Sequence, residues 1–223
     1  MLRSAIIVAG GSGTRMGGPI PKQFLLLKGK PLLCWTIEAF HRYDPALPII
    51  LVLPEQQITG WKNLCIGHQF HLPHTIVPGG AERFHSVRNG LAQVEHDGLV
   101  AVHDGVRPLV SETLIDRCFR AAEAHGAAIP VVPIASSVRE VVGDASRALD
   151  RSKLRAVQTP QCFRVEVLRK AFDLPYDPAF TDEATLVERI GAQVHLVDGE
   201  ERNIKVTTKE DLLATHVMLR SAE

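Results

Sequence analysis

The sequence predicts an α/β protein with a doubly wound, mostly parallel sheet that helices cover on both faces. Short apolar segments alternate with longer segments of helical periodicity along the first 132 residues. Several short segments are apolar at every position, as strands buried on both faces must be. The composition agrees, because 45% of the 223 residues are hydrophobic and 22% are charged, which is typical of a globular chain.

The first half of the chain predicts five strands joined by four helices. The strands are expected at residues 5–9, 49–53, 75–77, 99–102 and 128–132. The helices are expected at 32–43, 56–64, 82–94 and 111–125. In the first helix Leu33, Ile37 and Phe40 recur at helical spacing on one face. Alternating strands and helices imply right-handed crossovers, so we expect ligands beyond the carboxyl ends of the strands.

The pattern changes between residues 134 and 157, where a hairpin replaces the alternation of strands and helices. Residues 138–142 precede the turn residues Gly143 and Asp144 and a polar stretch to Arg155. Such an arm has too little core of its own, so we expect it to project and to pack on a partner subunit.

The last part of the chain predicts helices at 165–172, 182–190 and 209–219 and a strand at 194–197. Thr181 is expected to cap the second of these helices. No linker divides the chain, so residues 1–223 are expected to form a single domain that carries the arm.

Charge and composition exclude several classes of partner. Lys plus Arg and Asp plus Glu both number 25, so no global field favours nucleic acid or an anionic membrane. The four cysteines contain no CxxC pair and are expected to be reduced. The apolar run near the N-terminus is too short for a signal peptide or a membrane span, which predicts a cytoplasmic protein. The histidines at 68, 71 and 74 are expected in a surface loop, because Pro73 breaks any helix that would align them as metal ligands.

A glycine-rich segment follows the first predicted strand. Gly10, Gly11 and Gly13 allow close approach of a ligand and expose backbone N–H groups, which favours a bound phosphate. The segment lacks the Gly-Lys-Ser/Thr of a P-loop, which disfavours ATPase or GTPase chemistry. Arg15 and Lys22 add two cations, which indicates stabilisation of charge that develops during a reaction.

Three further groups of candidate site residues follow predicted strands. Gly80, Ala81 and Ser86 form one group, in which backbone atoms can read the edge of a base. Asp104 and Arg107 form another, in which Asp104 would bind a metal or a hydroxyl and Arg107 a phosphate; the alternative is a structural ion pair. Near the C-terminus, Lys205 lies on a short apolar segment, with its cation expected to face a cleft.

Seven motifs together resemble the 2-C-methyl-D-erythritol 4-phosphate cytidylyltransferase family of the non-mevalonate isoprenoid pathway. They are AGGSGTRM at 9–16, PKQF at 21–24, GGAER at 79–83, HDGVRP at 103–108, QTPQCF at 158–163, TDEA at 181–184 and NIKVT at 203–207. The resemblance implies a Rossmann-like nucleotidyltransferase fold, a three-layer sandwich with a projecting β-arm. It also implies a homodimer that exchanges these arms, and a divalent cation, usually Mg²⁺.

The same resemblance implies transfer of CMP from CTP to methylerythritol phosphate by in-line displacement, without a covalent enzyme intermediate. On the nucleotide side, Arg15 and Lys22 would stabilise the transition state at the α-phosphate. The glycines at 10, 11 and 13 would cradle the triphosphate, and Gly80, Ala81 and Ser86 would read the cytosine.

On the acceptor side, Asp104 and Arg107 would face the methylerythritol phosphate or the metal. The polar groups of the acceptor would be met by Thr159 and Thr181, and its phosphate by Arg151 and Lys205. The chain departs from the family at two places. Ser136 and Ser137 stand where the family often has an Asp-Thr pair, so only the hydroxyl of Ser137 is retained. Gly105 and Val106 replace two alanines near the expected ribose contacts.

Three alternatives remain at this point. A ribitol-5-phosphate cytidylyltransferase shares the glycine segment, PKQF and NIK, whereas TDEA and the surroundings of Arg151 favour the methylerythritol enzyme. A nicotinamide-dependent oxidoreductase would need a Tyr-x-x-x-Lys pair or an acidic ribose ligand, and neither Tyr43 nor Tyr176 is followed by Lys at that spacing. A catalytically silent nucleotide-binding module would have no use for the cations Arg15, Lys22, Arg151 and Lys205 together.

Overall fold

Parallel strands joined by helices form the centre of the protein in this computed structural model, which describes residues 1–10 and 20–220. The elements in chain order are β1 Arg3–Val8, β2 Leu26–Leu27, β3 Lys30–Pro31, α1 Leu32–Tyr43, β4 Ile49–Leu53, α2 Glu55–Gly67, β5 Thr75–Pro78, α3 Arg83–Leu91, β6 Leu99–Asp104, α4 Glu112–His125, β7 Ala127–Pro133, β8 Val138–Val142, β9 Ala145–Leu149, β10 Arg155–Val157, β11 Gln161–Arg164, α5 Val165–Phe172, α6 Glu183–Arg189, β12 His195–Asp198 and α7 Lys209–Arg220. The predicted alternation of strands and helices is therefore confirmed.

The main sheet of the described residues has the strand order β10-β7-β11-β6-β1-β4-β5, with β12 beside β7. Strand β1 pairs in parallel with β4 and β6, and β5 pairs in parallel with β4. Strand β12 is parallel to β7, whereas β11 is antiparallel to both β6 and β7, and β10 is antiparallel to β7. The sheet is mostly parallel, as predicted, with its antiparallel pairs on one side.

Helices cover both faces of this sheet. Along β1, Ala5 and Ile7 pack in the cluster that contains core residues of α1, α2 and α4. The alternate residues Ile6 and Val8 pack with core residues of α3, α5 and α6 on the opposite face. Successive side chains of a strand point to opposite faces, so an entirely apolar strand is buried from both sides. The three-layer arrangement follows from this pattern.

Strand β11 was not predicted from the sequence. It lies between β6 and β7 and runs antiparallel to both. Its two apolar residues, Cys162 and Phe163, are fully buried, while polar residues stand at its ends. A run of two apolar residues is too short to indicate a strand by periodicity.

The predicted hairpin between residues 134 and 157 is confirmed. Strands β8 and β9 pair from Val138–Leu149 to Val142–Ala145 and form a sheet of their own. Gly143 takes a φ of 59° at the turn, a conformation that favours glycine. The stretch that follows contains a 3₁₀ turn and then β10, which returns the chain to the main sheet.

The cap of α6 differs from the prediction. Asp182, not Thr181, is the capping residue, and its side chain accepts a hydrogen bond from the Thr185 N–H at 2.9 Å. Thr181 is exposed one residue further from the helix. Both residue types are good caps, and the Asp182 carboxylate adds a favourable interaction with the helix dipole. Among the helices described here, none is long and apolar enough to cross a bilayer.

Candidate active site

A cleft of about 250 Å³ lies beyond the carboxyl ends of β1 and β6. This is where a parallel α/β sheet places its ligands. The residues that line it come from five separate segments of the chain: Val8, Ala9, Gly10, Lys22, Gln23, Gly80, Ala81, Glu82, Arg83, Ser86, Asp104, Val106 and Lys205. The structure thus brings together eight described residues that the sequence singled out, seven of them in one lining, with Arg107 directly behind Asp104.

Asp104 is the centre of the charged groups in this cleft. Its Oδ2 lies 3.1 Å from Lys205 Nζ and 3.1 Å from Arg107 Nε. The Arg107 guanidinium also donates to the Asn203 carbonyl at 2.7 Å, which anchors the segment that carries Lys205. Arg107 is only 8% exposed, so in this structure it holds Asp104 and the 203–205 segment together behind the cleft.

These cations set the charge state of Asp104. Burial alone would raise the pKa of its carboxyl, but the positive charges of Lys205, Arg83 and Arg107 hold that pKa well below its usual range. Asp104 is therefore ionised at neutral pH, and the cleft contains a fixed negative charge among several positive ones.

A chain of hydrogen bonds fixes the backbone at Asp104. The Thr159 hydroxyl accepts from the Asp104 N–H at 3.1 Å and lies 3.0 Å from His103 Nδ1. His103 Nε2 lies 3.2 Å from the Arg107 carbonyl, which can only accept, so Nε2 carries the proton and Thr159 donates to Nδ1. Burial lowers the pKa of His103 to about 3, which keeps the ring neutral. The Thr159 hydroxyl is therefore engaged in positioning Asp104.

The loop between β5 and α3 forms another wall. Ser86 Oγ accepts from the Gly80 N–H at 3.1 Å and donates to the Glu82 carbonyl at 3.1 Å, which closes the loop on the start of the helix. A Cβ atom on Gly80 would overlap Cβ of His85. Glycine at 80 is thus required by this turn, which leaves backbone atoms of the loop facing the cleft.

Gln23 is a site residue that the sequence analysis missed. It is fully buried, and its Nε2 donates to the Ala9 carbonyl at 2.8 Å and to Gln57 Oε1 at 2.5 Å. These bonds fix the 3₁₀ turn Lys22–Phe24 against the end of β1, and Lys22 lines the cleft beside it. An isolated glutamine gives no periodic signal, so only the three-dimensional arrangement reveals this role.

Arg83 is a second missed residue. It opens α3, lines the cleft and forms an ion pair with Glu183 at the start of α6. Burial would lower the pKa of the Arg83 guanidinium, but the carboxylates of Glu183, Asp104 and Asp182 raise it above its usual value. A cation at the first position of a helix opposes the helix dipole. That unfavourable placement was a signal of function available in the sequence.

The other predicted site residues are placed as follows. Gly11, Gly13 and Arg15 lie outside the described residues. Gly105 is buried, and its N–H donates to the Val8 carbonyl at 2.9 Å. Three residues are exposed and are not part of the cleft lining: Ser137, Arg151 and Thr181. The Arg151 guanidinium donates to the Ala135 carbonyl at the base of the arm.

The fold and cleft together define a class. The sheet is doubly wound, and a glycine follows its first strand. One cleft contains two lysines, an arginine and an ionised aspartate. This combination is typical of an enzyme that binds a nucleotide and acts on its phosphates. The sequence profile of the 2-C-methyl-D-erythritol 4-phosphate cytidylyltransferase (IspD) family matches residues 4–221. The chain belongs to this family.

Individual relatives are similar to this chain in sequence over nearly its full length. A Bacteroides thetaiotaomicron protein named 2-C-methyl-D-erythritol 4-phosphate cytidylyltransferase is 51% identical over 212 residues, which are 95% of this chain and 97% of the relative. A Phocaeicola vulgatus protein of the same name is 50% identical over 219 residues, covering 98% and 100% of the two chains.

Solved structures show the same fold. The crystal structure of 2-C-methyl-D-erythritol 4-phosphate cytidylyltransferase from Thermus thermophilus matches with a TM-score of 0.80 at 33% identity, over 99% of this chain and 100% of that one. The Francisella tularensis enzyme of that name matches with a TM-score of 0.81 at 31% identity, covering 97% and 99%. The Rossmann-like nucleotidyltransferase fold expected from the resemblance is confirmed.

Proposed function

We propose that this protein transfers CMP from CTP to 2-C-methyl-D-erythritol 4-phosphate. The products are 4-diphosphocytidyl-2-C-methyl-D-erythritol and pyrophosphate, in the non-mevalonate isoprenoid pathway. Membership of the family supports this activity. The single observation that carries it to this chain is that Lys22, Asp104 and Lys205, from three distant motifs, line one cleft.

The reaction is an in-line displacement at phosphorus. A phosphate oxygen of the acceptor attacks the α-phosphorus of CTP and forms a new P–O bond. The bond between that phosphorus and the oxygen bridging to the β-phosphate breaks, and pyrophosphate leaves with the bonding electrons. No side chain has to form a covalent bond, so the protein contributes position and charge.

The cleft residues divide this work. Lys22, with Arg15 from the glycine segment, stabilises negative charge that grows at the α-phosphate. The Gly80–Ser86 loop binds the cytosine through backbone atoms, which its internal hydrogen bonds hold in place. Lys205, fixed by Asp104 at 3.1 Å, holds the acceptor phosphate near its point of attack.

A Mg²⁺ ion fits this site with Asp104 and the phosphates of CTP as ligands. No group of three His, Cys, Asp or Glu side chains that could hold a metal occurs in the described parts of the chain. Asp104 is an ionised carboxylate in the cleft lining, and Mg²⁺ in nucleotide sites takes one or two carboxylates and completes its shell with phosphates and water. Asp104 would therefore hold the ion together with CTP. When bound, the ion would neutralise charge on the triphosphate.

A homodimer through the arm completes the proposal. Val141 and Val142 on the arm are 74% and 63% exposed, which is typical of a surface that a partner covers. Arg151 lies at the arm's base and outside the lining of its own chain's cleft. An exchanged arm would bring Arg151 and Ser137 of one subunit to the acceptor phosphate in the other.

We also propose a cytoplasmic location, which the state of the cysteine side chains supports. Cys34, Cys118 and Cys162 are buried and unpaired, and burial raises the pKa of Cys34 to about 12. Protonated, buried thiols suit a reducing compartment.

The experiment that tests the function is release of pyrophosphate from CTP in the presence of Mg²⁺. Methylerythritol phosphate is compared with ribitol 5-phosphate, and CTP with ATP, GTP and UTP. We expect release with CTP and methylerythritol phosphate alone. Pyrophosphate release with ribitol 5-phosphate instead would assign a different acceptor to the same cleft. No release with any pair of nucleotide and acceptor would refute the proposed transferase activity.

A further inference from the structure

The side chain of Arg83 lines the cleft, and no expected substrate contact has been assigned to it. Its side chain is 30% exposed and lines the cleft at the start of α3. Within the described parts of the chain, its only hydrogen-bond partner is Glu183, which binds Nη1. The guanidinium carries five N–H donors in a planar fork, so Nε and Nη2 keep donors for a ligand.

Glu183 is an unusual partner for a residue at an open cleft. It is only 2% exposed, and its Oε2 has no hydrogen-bond partner among the described residues. Burying a carboxylate is costly, and an ion pair with one buried end seldom repays that cost in stability. A buried pair of this kind is better explained by the position that it imposes on Arg83.

Arg83 lines the same cleft as Asp104 and Lys205, the residues proposed to meet the acceptor. Asp104 and Asp182 are, with Glu183, the carboxylates whose charges act on its guanidinium, and Asp104 is the partner of Lys205. Arg83 and Lys205 both line the cleft that contains Asp104, so an anion held there by Lys205 shares the cleft with the guanidinium of Arg83. Such an anion gains a second charged donor, which strengthens the hydrogen bonds to it.

We propose that Arg83 is a substrate-binding residue for the phosphate of the acceptor, and that Glu183 is a positioning residue that acts through Arg83. The inference rests on the proposed function, because the anion is taken to be the acceptor. It adds a second cation to the one that Lys205 supplies on the same chain, and it gives Glu183, at the start of α6, a role in orienting the Arg83 side chain.

The local structure allows this to be tested without unfolding α6. The helix keeps its Asp182 cap, and the Gln161 side chain binds both Asp182 Oδ2 at 2.9 Å and the Ala184 N–H at 3.1 Å. Phe84, next to Arg83, is packed against Phe172 with ring centroids 4.9 Å apart. A Glu183→Gln change keeps the side-chain volume and removes only the charge.

The experiment compares Glu183→Gln and Arg83→Gln with the wild type in the pyrophosphate-release assay, together with calorimetric binding of CTP. Loss of a charge-assisted hydrogen bond should raise KM for the acceptor about tenfold or more in each variant. The dissociation constant of CTP should change by less than about threefold, because Arg83 is proposed to contact the acceptor and not CTP. The double variant should be no worse than Arg83→Gln, because the two residues act as one unit.

Two controls distinguish the outcomes. Arg169→Gln breaks another Arg–carboxylate ion pair, 2.7 Å to Asp97, on α5 and outside the cleft lining, and should leave KM unchanged. Arg83→Lys keeps the charge and should recover part of the acceptor affinity that Arg83→Gln loses. If Glu183→Gln does not fold, the comparison of Arg83→Gln with Arg83→Lys tests whether Arg83 binds the acceptor.

An unchanged KM for the acceptor in folded Arg83→Gln would overturn the inference, and so would a loss of CTP affinity as large as the rise in that KM. In either case an active wild type would leave the proposed function intact. A wild type that releases no pyrophosphate would overturn both.

Discussion

The side-chain amide of Gln23 donates to the carbonyl oxygen of Ala9 at 2.8 Å, which joins the turn that carries Lys22 to the end of β1. Because Gln23 is fully buried, Gln23→Ala leaves polar groups without partners. We expect a loss of about 1–3 kcal/mol in the free energy of unfolding, measured with denaturant. The variant should also lower kcat, because Lys22 loses its support.

The matched control for that change is Gln57→Ala. It removes the second hydrogen bond of Gln23 but leaves the bond to Ala9. This variant should retain most of the wild-type kcat. Equal losses of kcat in the two variants would contradict the importance of the bond between Gln23 and Ala9.

Lys22 is expected to act on the transition state more than on bound CTP. Lys22→Ala should lower kcat by about 10²–10³-fold and weaken CTP binding far less, as for other groups aimed at developing charge. Steady-state rates and calorimetry measure the two effects separately. Lys62→Ala, an exposed lysine of α2, is the control. Parallel losses of rate and affinity would assign Lys22 to ground-state binding.

The turn at Gly80 should not accept a side chain. A Cβ at this position would overlap His85, so Gly80→Ala must displace the loop that is proposed to bind the cytosine. We expect weaker CTP binding by about tenfold or more, measured by calorimetry. Gly60→Ala is the control, because a Cβ there meets nothing within 4 Å and should stabilise α2 by about 0.5–1 kcal/mol. CTP affinity that survives Gly80→Ala would exclude this loop from the nucleotide site.

His74 is expected to make stability depend on pH. It accepts from Trp61 Nε1 at 2.9 Å, and its Nδ1 lies 2.8 Å from the Leu72 carbonyl, so the ring is held neutral. Burial lowers its pKa below the ordinary 6.5, against the opposing effect of the Leu72 carbonyl. The unfolded chain therefore binds the proton more tightly, and stability present above pH 6.5 is lost as the pH falls through the lowered pKa.

The measurement is chemical unfolding at a series of pH values from neutral to acidic. His74→Gln should show a smaller decline of the unfolding free energy below pH 6.5 than the wild type. His71→Gln, at an exposed position of the same loop, serves as control. A decline of the same size in His74→Gln and the wild type would exclude this residue as a source of the pH dependence.

The proposed exchange of arms predicts that two inactive variants complement each other. A mixed dimer of Lys22→Ala and Arg151→Ala subunits would contain one cleft with both changes and one with neither. Random pairing of co-expressed subunits should restore about a quarter of the wild-type rate. If each arm serves its own chain, the mixture stays as inactive as its parents. Val141→Asp, on the exposed arm, should shift the protein to monomers in sedimentation experiments.

Much of the fold could be predicted because its central strands are buried on both faces. Ile6, Ile7 and Leu51 lie in strands with no polar residue at their centres, so the pattern was unambiguous. The candidate site was predictable where a glycine follows such a strand, as at Gly10 after β1. The first strand and the glycine that follows it indicate the edge of the sheet at which the cleft lies.

Other features depend on contacts between distant parts of the chain. Arg83 and Glu183 are 100 residues apart, so the sequence does not show that they form a pair. Two apolar residues, Cys162 and Phe163, could not indicate a strand that is stabilised by neighbours on both sides. The hairpin was visible, but its proposed destination, the cleft of a second copy, is a matter of assembly rather than of local pattern.

The insertion of β11 between β6 and β7 has a consequence for the order in which a growing chain can fold. Strands β1, β4, β5 and β6 can pair as soon as the first 104 residues have left the ribosome. Strand β7 has no neighbour in that group and must wait for β11, so the free edge of β6 stays open through synthesis of the arm. An open edge of a buried strand invites pairing with other chains. Between the synthesis of residue 104 and that of residue 164, the edge of β6 is therefore open to pairing of this kind, which favours aggregation.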